Sequence, residues 1–238
     1  MADQAVFQRF ELKYILTRQQ REKVLQAMAP YMRPDKFGRT TICNIYFDTD
    51  DYRLIRRSIE KPAYKEKLRL RSYGRATSRS KTFVEMKRKY NGVVYKRRVS
   101  MPEEQAMDWL TGKQKPAKTQ IHREIDYFLG FYKNLKPRVF LSYERQAYYA
   151  KDESGFRITF DDTILCRQTD LSLQSSAYGT PILPEEKVLM EVKCAGGLPL
   201  WLTEVLSREK IYKTSFSKYG TVYQTVIYPK LKEIANYA

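Results

Sequence analysis

The feature that most constrains this chain is a pair of short runs, Lys67-Leu68-Arg69-Leu70-Arg71 and Phe83-Val84-Glu85-Met86-Lys87, followed by Asn91-Gly92. Both runs alternate charged and apolar residues, the two-residue period of a β-strand with one wet face and one dry face. Lys67, Arg69 and Arg71 share one face with Leu68 and Leu70 opposite; Glu85 and Lys87 share one face with Val84 and Met86 opposite. Asn-Gly between two strand-like runs predicts a two-residue type I′ hairpin, which fixes register. Tyr90 then faces Val93, Lys87 faces Lys96, and Glu85 faces Arg98. Cross-strand partners share a side, so Lys96 and Arg98 join Glu85 and Lys87. Two lysines set opposite each other repel unless an anion lies between them, which is a first hint of a ligand.

A charged strand face is by itself only what a half-wet antiparallel sheet requires. Here it recurs. Residues 9–16 alternate Arg9, Glu11 and Lys13 against Phe10, Leu12, Tyr14 and Leu16; Arg157, Thr159 and Asp161 alternate with Phe156, Ile158 and Phe160; Glu191 and Lys193 alternate with Met190 and Val192. Further strands are expected at 40–48, 64–73, 81–90, 138–150 and 187–194. Thr17 with Gln20 forms a capping box for a helix ended by Pro30. Pro102-Glu103-Glu104 opens another helix that Gly112 closes. Ile121, Ile125, Phe128, Leu129 and Tyr132 line a third, and Trp201, Leu202, Val205 and Leu206 a fourth within 198–211. A basic linker is expected over 113–118, a mobile loop over 168–186, and a last helix over 217–227 that Pro229 interrupts.

With 238 residues, 42% of them hydrophobic, the chain can bury one large core, and no repeat or composition break divides it. The formal charge of +17, from 44 Lys+Arg against 27 Asp+Glu, points to a polyanionic partner. The cations lie inside strand-like segments, not in a tail. Cys43, Cys166 and Cys194 form no CxxC pattern, so they read as buried thiols in a reducing cytoplasm. His122 is expected at the surface. No apolar run approaches the ~20 residues of a membrane span, and the N-terminus lacks a signal peptide's apolar region. There is no glycine-rich phosphate loop of the Walker type and no recognised nucleic-acid motif, so a nucleic-acid partner is not expected.

Sheets avoid unpaired edges by closing, and eight strands suit a small barrel. The expected fold is α+β: an antiparallel eight-stranded β-barrel, helices packed on its apolar outside, and an interior lined by the charged faces. A bound polyphosphate would neutralise so many inward cations, and a few carboxylates would hold a divalent ion bridging phosphate oxygens.

In order along the chain stand Glu11-Leu12-Lys13-Tyr14, Tyr46-Phe47-Asp48, Arg69-Leu70-Arg71 with Tyr73-Gly74, Val84-Glu85-Met86-Lys87, Tyr143-Glu144-Arg145, Arg157-Ile158-Thr159-Phe160-Asp161, Glu191-Val192-Lys193 and Phe216-Ser217-Lys218-Tyr219-Gly220. Together they resemble the catalytic domain of the vacuolar transporter chaperone (VTC) polyphosphate polymerases, among the triphosphate tunnel metalloenzymes. The resemblance spans nearly the whole chain, as a single domain. It implies transfer of the ATP γ-phosphoryl group onto a growing polyphosphate chain. It implies phosphate contacts from Lys13, Arg69, Arg71, Lys87, Lys96, Arg145, Arg157 and Lys218, and Mn²⁺ or Mg²⁺ on Glu191, with Lys193 beside it. Arg98 is added from the hairpin register, and Glu11 and Glu85 as further metal candidates. Arg69, Arg71, Lys87, Arg157 and Glu191 are the expected catalytic set. The wider superfamily often opens with two glutamates and a lysine on alternate positions; Arg9 stands at the first, which favours the polymerase branch. Hydrolysis of triphosphate or short polyphosphate, and phosphate-chain binding without catalysis, stay open as alternatives. No membrane segment or inositol-phosphate-binding domain is expected, so a separate membrane protein would have to assist any export.

Overall fold

The computed structural model describes residues 10–91, 93–115, 119–152 and 154–236; Arg9, Gly92 and residues 116–118 of the expected linker lie outside the described residues. The elements in order are β1 (Phe10–Thr17), α1 (Arg18–Met28), β2 (Met32–Asp48), α2 (Arg53–Ile59), β3 (Tyr64–Tyr73), β4 (Lys81–Tyr90), β5 (Val93–Pro102), α3 (Glu103–Leu110), α4 (Gln120–Tyr132), β6 (Lys136–Ala150), β7 (Arg157–Arg167), β8 (Thr180–Pro181), β9 (Lys187–Cys194), α5 (Leu200–Arg208), α6 (Lys218–Val222) and α7 (Tyr228–Asn236), with one wide π turn, Tyr223–Ile227, between the last two.

The class is α+β and the sheet is antiparallel, with strand order β1-β9-β7-β6-β2-β3-β4-β5 and β8 on β7. Among the described residues β1 and β5 stand at the two ends of this order without pairing. The hydrogen-bonded sheet is therefore open, where closure into a barrel was expected. The hairpin register is as read from Asn91-Gly92: Tyr90↔Val93, Lys87↔Lys96, Glu85↔Arg98. Asn91 takes the positive φ of 44° that this turn requires.

Contacts group the chain into two compact units interleaved in sequence. One comprises residues 1–41, 143–164 and 183–217; the other 42–142, 165–182 and 218–238. In the first, the apolar faces of β1, β7 and β9 (Leu16, Ile158, Phe160, Val188, Met190, Val192) are buried against Val24 and Met28 of α1 and Leu202, Val205 and Leu206 of α5. In the second, Ile45, Phe47, Leu68, Leu70, Val84 and Met86 pack on Leu54 of α2, Ala106, Trp109 and Leu110 of α3, and Ile125 and Phe128 of α4. In both units helices cover the apolar strand face and leave the charged face to the other side, as the alternation requires.

Four local expectations are corrected. β2 begins eight residues earlier than read, at Met32; Pro34 and Gly38 hid its first part. His122 is buried, not at the surface, with its ring 5.0 Å from Trp109 and Nδ1 2.7 Å from Thr119 Oγ1. The segment after β7 is tied down: buried Arg167 donates to the carbonyls of Asp170, Ser172, Ser176 and Tyr178, and its guanidinium lies 3.5 Å from the Phe140 ring centroid. Pro229 does not end the last helix. It sits in the first turn after the π turn, where the ladder is already shifted (Tyr228 N–H reaches Tyr223 O), so its missing N–H breaks no regular bond.

Candidate functional site

The polar face of β3, β4 and β5 is organised around Glu85, which is buried. Its register partners are Arg69 on β3 and Arg98 on β5, so both guanidiniums reach it from the sides. Arg69 Nε donates to Glu85 Oε2 at 2.8 Å and Arg98 Nε to Oε1 at 2.6 Å. Lys96 Nζ lies 2.7 Å from Oε1, and Arg71 Nε lies 3.7 Å from Oε2. Burial pushes the Glu85 carboxyl up, but Arg69, Arg71, Lys96 and Arg98 outweigh it and hold it well below the usual range. One fixed anion thus gathers four cations and leaves the group positively charged.

β2 adds a second row of partners. Asn44 and Tyr46 face Arg71 and Arg69 in the ladder. Arg71 Nε donates to Asn44 Oδ1 at 2.8 Å, and Asn44 Nδ2 donates to Leu141 O at 3.0 Å. Arg69 Nη1 donates to the Tyr46 hydroxyl at 3.1 Å. Burial would raise that phenol, yet Arg69, Arg71 and Lys218 together lower it below its ordinary value. The Tyr46 ring stacks on Tyr219 at 4.6 Å, and the Tyr219 hydroxyl donates to Asp48 Oδ2 at 2.9 Å. Asp48 also accepts the N–H groups of Leu54 and Ile55 at the start of α2. Tyr219 is therefore a buried strut beside Lys218, not an exposed stacking platform. Asn44 was not singled out from sequence, and Tyr46 entered only within the Tyr46-Phe47-Asp48 motif with no role given, because 40–48 reads as a β-branched and aromatic strand; the signal was the alternation Asn44, Tyr46, Asp48 within it.

The other unit has its own polar cluster on β1, β6, β7 and β9. Register pairs Lys13 with Glu191 and Glu11 with Lys193, opposite charges in both cases. Lys13 Nζ lies 3.4 Å from a carboxylate oxygen of Glu11 and of Glu191, and donates to Phe216 O at 2.9 Å. Arg145 forks onto Asp161 with two bonds of 2.6 Å and reaches Glu191 Oε2 at 3.1 Å. Burial alone would lower the Arg145 guanidinium, but Tyr143, Asp161 and Glu191 raise it well above its ordinary value. Burial lowers Lys193 despite Glu11 and Glu191 nearby. Arg157 and Thr159 face Lys193 and Glu191 across β7–β9. Arg157 Nε and Thr159 Oγ1 are buried without a hydrogen-bond partner, although the Arg157 guanidinium lies 4.8 Å from the Tyr149 ring centroid.

The expected residues therefore fall into two groups. Arg69, Arg71, Glu85, Lys87, Lys96, Arg98 and Lys218 belong to one unit; Glu11, Lys13, Arg145, Arg157, Glu191 and Lys193 to the other. Among the described residues no group of three or more His, Cys, Asp or Glu side chains is placed to hold a metal. Glu11 and Glu191, gathered by Lys13, make a two-carboxylate set. That fits Mg²⁺ or Mn²⁺ arriving with phosphates, since such ions use one or two carboxylates plus substrate oxygens. The two orphaned donors on β7 are the kind of atoms an oxygen-rich ligand satisfies.

The sequence pattern of the VTC domain matches residues 8–227. The chain belongs to the VTC domain family. No curated protein matches the chain. Among solved structures, a candidate adenylate cyclase from Bacillus halodurans is 14% identical, covers 90% of this chain and 95% of its own, and superposes with a TM-score of 0.56, so the two share a fold. A candidate adenylyl cyclase from Hippeastrum, described as having a dominant triphosphatase activity, is 16% identical over 90% of this chain and 94% of its own, with a TM-score of 0.47. Membership gives this VTC domain a polyphosphate- or triphosphate-related function. Among its described residues no helix is long and apolar enough to cross a membrane.

Proposed function

We propose that this VTC domain is a metal-dependent polyphosphate polymerase, moving the γ-phosphoryl group of ATP onto a polyphosphate chain. The observation that carries the reading is the set of four cations around buried Glu85. Phosphoryl transfer asks a protein mainly to position charged oxygens and to stabilise the charge between them. Arg69, Arg71 and Arg98 offer guanidinium forks whose directions are fixed in advance by Glu85, Asn44 and Tyr46. Lys87, Lys96 and Lys218 add point charges. Glu85 acts here as the counter-ion that orients the forks, with both oxygens already engaged by cations.

In the other unit, Arg157 and Thr159 offer unsatisfied donors to phosphate oxygens, while Lys13, Arg145 and Lys193 add positive charge. Glu191 with Glu11 would hold the metal, which when bound neutralises charge on phosphate oxygens. The acceptor is a terminal phosphate, already ionised, so no strong general base is needed. That suits a chain whose one histidine is packed on Trp109.

The test is to incubate the purified chain with ATP and Mn²⁺ or Mg²⁺, and to resolve the products by gel electrophoresis and phosphate release. Long chains are expected. Arg69→Ala and Glu191→Ala should each lower their synthesis by about 100-fold, the usual loss of a charge-stabilising group. Free orthophosphate without polymer would make the chain a triphosphatase, and synthesis by Arg69→Ala at the parental rate would remove the role given to the Glu85 cluster.

A further inference from the structure

The short helix α6 is held in place from outside itself. Its five residues, Lys218–Val222, are too few to stand on their own hydrogen bonds. Two contacts tie this segment to the start of α2. The Tyr219 hydroxyl donates to Asp48 Oδ2 at 2.9 Å, and the Tyr223 ring, at the start of the π turn, lies 5.7 Å from the Tyr52 ring. Tyr52 sits at φ 58° and ψ 37°, a left-handed conformation that a bulky residue keeps only where its surroundings dictate it. Its buried ring lies 4.4 Å from the Arg138 guanidinium. Asp48 is buried and accepts three further N–H groups, from Thr49, Leu54 and Ile55, at 2.9, 2.9 and 3.0 Å. The bond from Tyr219 is additional to what capping α2 requires. A phenylalanine would fill nearly the same volume with no hydroxyl to satisfy, so packing alone does not call for tyrosine here.

The ring of Tyr219 leads to the Glu85 cluster. It stacks on Tyr46 with centroids 4.6 Å apart and 25° between the planes. The Tyr46 hydroxyl accepts from Arg69 Nη1 at 3.1 Å, while Arg69 Nε and Nη2 each lie 2.8 Å from Glu85 Oε2. The Arg69 fork is thus held on one edge by an anion and on the other by a phenol. Tyr219 is 2% exposed, so it does not meet a ligand directly. Burial, with Asp48 beside it, pushes its phenol well above the ordinary value, so the donor keeps its proton through the neutral range. Resting on the phosphate-handling reading above, we propose that Tyr219 is a positioning residue: its bond to Asp48 fixes the ring on which Tyr46 stacks, and through Tyr46 it sets the direction of the Arg69 fork. The relay has three links, Asp48 to Tyr219, Tyr219 to Tyr46 and Tyr46 to Arg69, all within one unit. Loss of a link leaves the charge of Arg69 in place and changes only its aim. Charge governs how tightly phosphate is held; aim governs how well the transition state is met. Turnover should therefore suffer more than affinity.

The experiment is a double-variant cycle on Tyr219→Phe, Tyr46→Phe and the two together. It reads kcat and KM for ATP turnover with Mn²⁺ or Mg²⁺, both as polymer and as free phosphate, and tripolyphosphate affinity by calorimetry. Each single variant should lower kcat about tenfold, a loss that a small misplacement of a catalytic group can bring. KM and tripolyphosphate affinity should change less than about twofold. The double variant should turn over within about twofold of Tyr46→Phe alone, because both substitutions break one relay. A merely structural Tyr219 would also lower the melting midpoint, so the cycle and the split between kcat and KM decide. Parental kcat in Tyr219→Phe, losses that multiply in the double variant, or a raised KM with kcat kept would each overturn the positioning role and leave the polymerase reading intact. Free phosphate without polymer, with the cycle still non-additive, overturns the polymerase reading and supports the relay. A parent that does not turn over ATP overturns both. Should Tyr219→Phe fail to fold, Tyr46→Phe must by itself lower kcat about tenfold at the parental KM, and parental kcat there overturns the proposal.

Discussion

Replacing Glu85 by Gln keeps the side chain's shape and removes the one anion that four cations share. Glu85 is 2% exposed, so the change leaves Arg69, Arg71, Lys96 and Arg98 facing one another around a neutral amide. Removing one partner of a buried ion set destabilises by about 3–5 kcal/mol. The cations are 24%, 8%, 45% and 35% exposed at their side chains, so water screens part of the repulsion and the low end applies. About 3 kcal/mol corresponds to a fall in melting midpoint of about 9 °C for a chain of this size. An added anion should reverse it: tripolyphosphate at 100 times its Kd for the parent adds about 2.7 kcal/mol to the parent by linkage, and at that same concentration the variant should gain more, because its cations lack a counter-ion and bind the anion more tightly. The pH dependence follows from the same carboxylate. Its folded pKa is depressed below the ordinary 4.5, so its stabilisation is complete above that value and is lost progressively as pH falls below it. The parent's midpoint should drop more steeply in acid than the variant's. Thermal scans of both chains from pH 7 to pH 3, with and without tripolyphosphate, give the answer. A variant melting within about 2 °C of the parent, or an equal gain from tripolyphosphate in both, would refute the account of Glu85 as the organising counter-ion.

Two other outcomes follow from the same structure. Burial lowers the Lys96 ammonium to about 8 in spite of Glu85. Between pH 8 and its ordinary 10.5 the unfolded chain binds more protons, so stability should rise with pH across that window, while tripolyphosphate affinity falls as the ammonium deprotonates; Lys96→Arg should flatten both slopes, as read by thermal scans and titrations at pH 7 and 9. Arg167→Met should destabilise by about 3 kcal/mol, because it strands four carbonyls that the guanidinium now satisfies, and it should open 168–182 to limited proteolysis, detected by mass spectrometry of the fragments.

What was legible in the sequence was whatever local rules decide. The Asn91-Gly92 turn dictates a register, and that register alone puts Arg98 beside Glu85 and Lys96 beside Lys87. The alternation along β1, β7 and β9 likewise puts Glu11 with Lys13, Arg157 with Thr159 and Glu191 with Lys193 on single faces, whereas Lys13 meets Glu191 only through the long-range pairing of β1 with β9. What escaped was held by partners distant in sequence. Nothing local marks residues 32–39 as a strand. Nothing local says that Arg167 will gather the carbonyls of the Ser- and Gly-containing segment after it. His122 reads as polar until Trp109 is found against its ring. Tyr219 reads as an aromatic near a phosphate site until Asp48, 171 positions away, accepts its hydroxyl. The expected barrel closure rested on a general preference for edgeless sheets, and β1 and β5 do not pair among the described residues.

The two polar faces handle charge differently, and the difference suggests a division of work. On β1, β7 and β9 acids and bases alternate in register, Glu11 with Lys193 and Lys13 with Glu191, so the ladder there is nearly neutral without a ligand. Such a face can accept a cation on its carboxylates and anions on its unsatisfied donors with little change in its own packing. On β3–β5 the arginines are held by one buried carboxylate while the lysines oppose one another. Guanidinium forks fixed in direction suit oxygens whose positions matter; flexible ammonium groups suit oxygens that need only be near. On the proposed polymerase reading, the arginine cluster is thus where geometry-sensitive phosphate chemistry would belong.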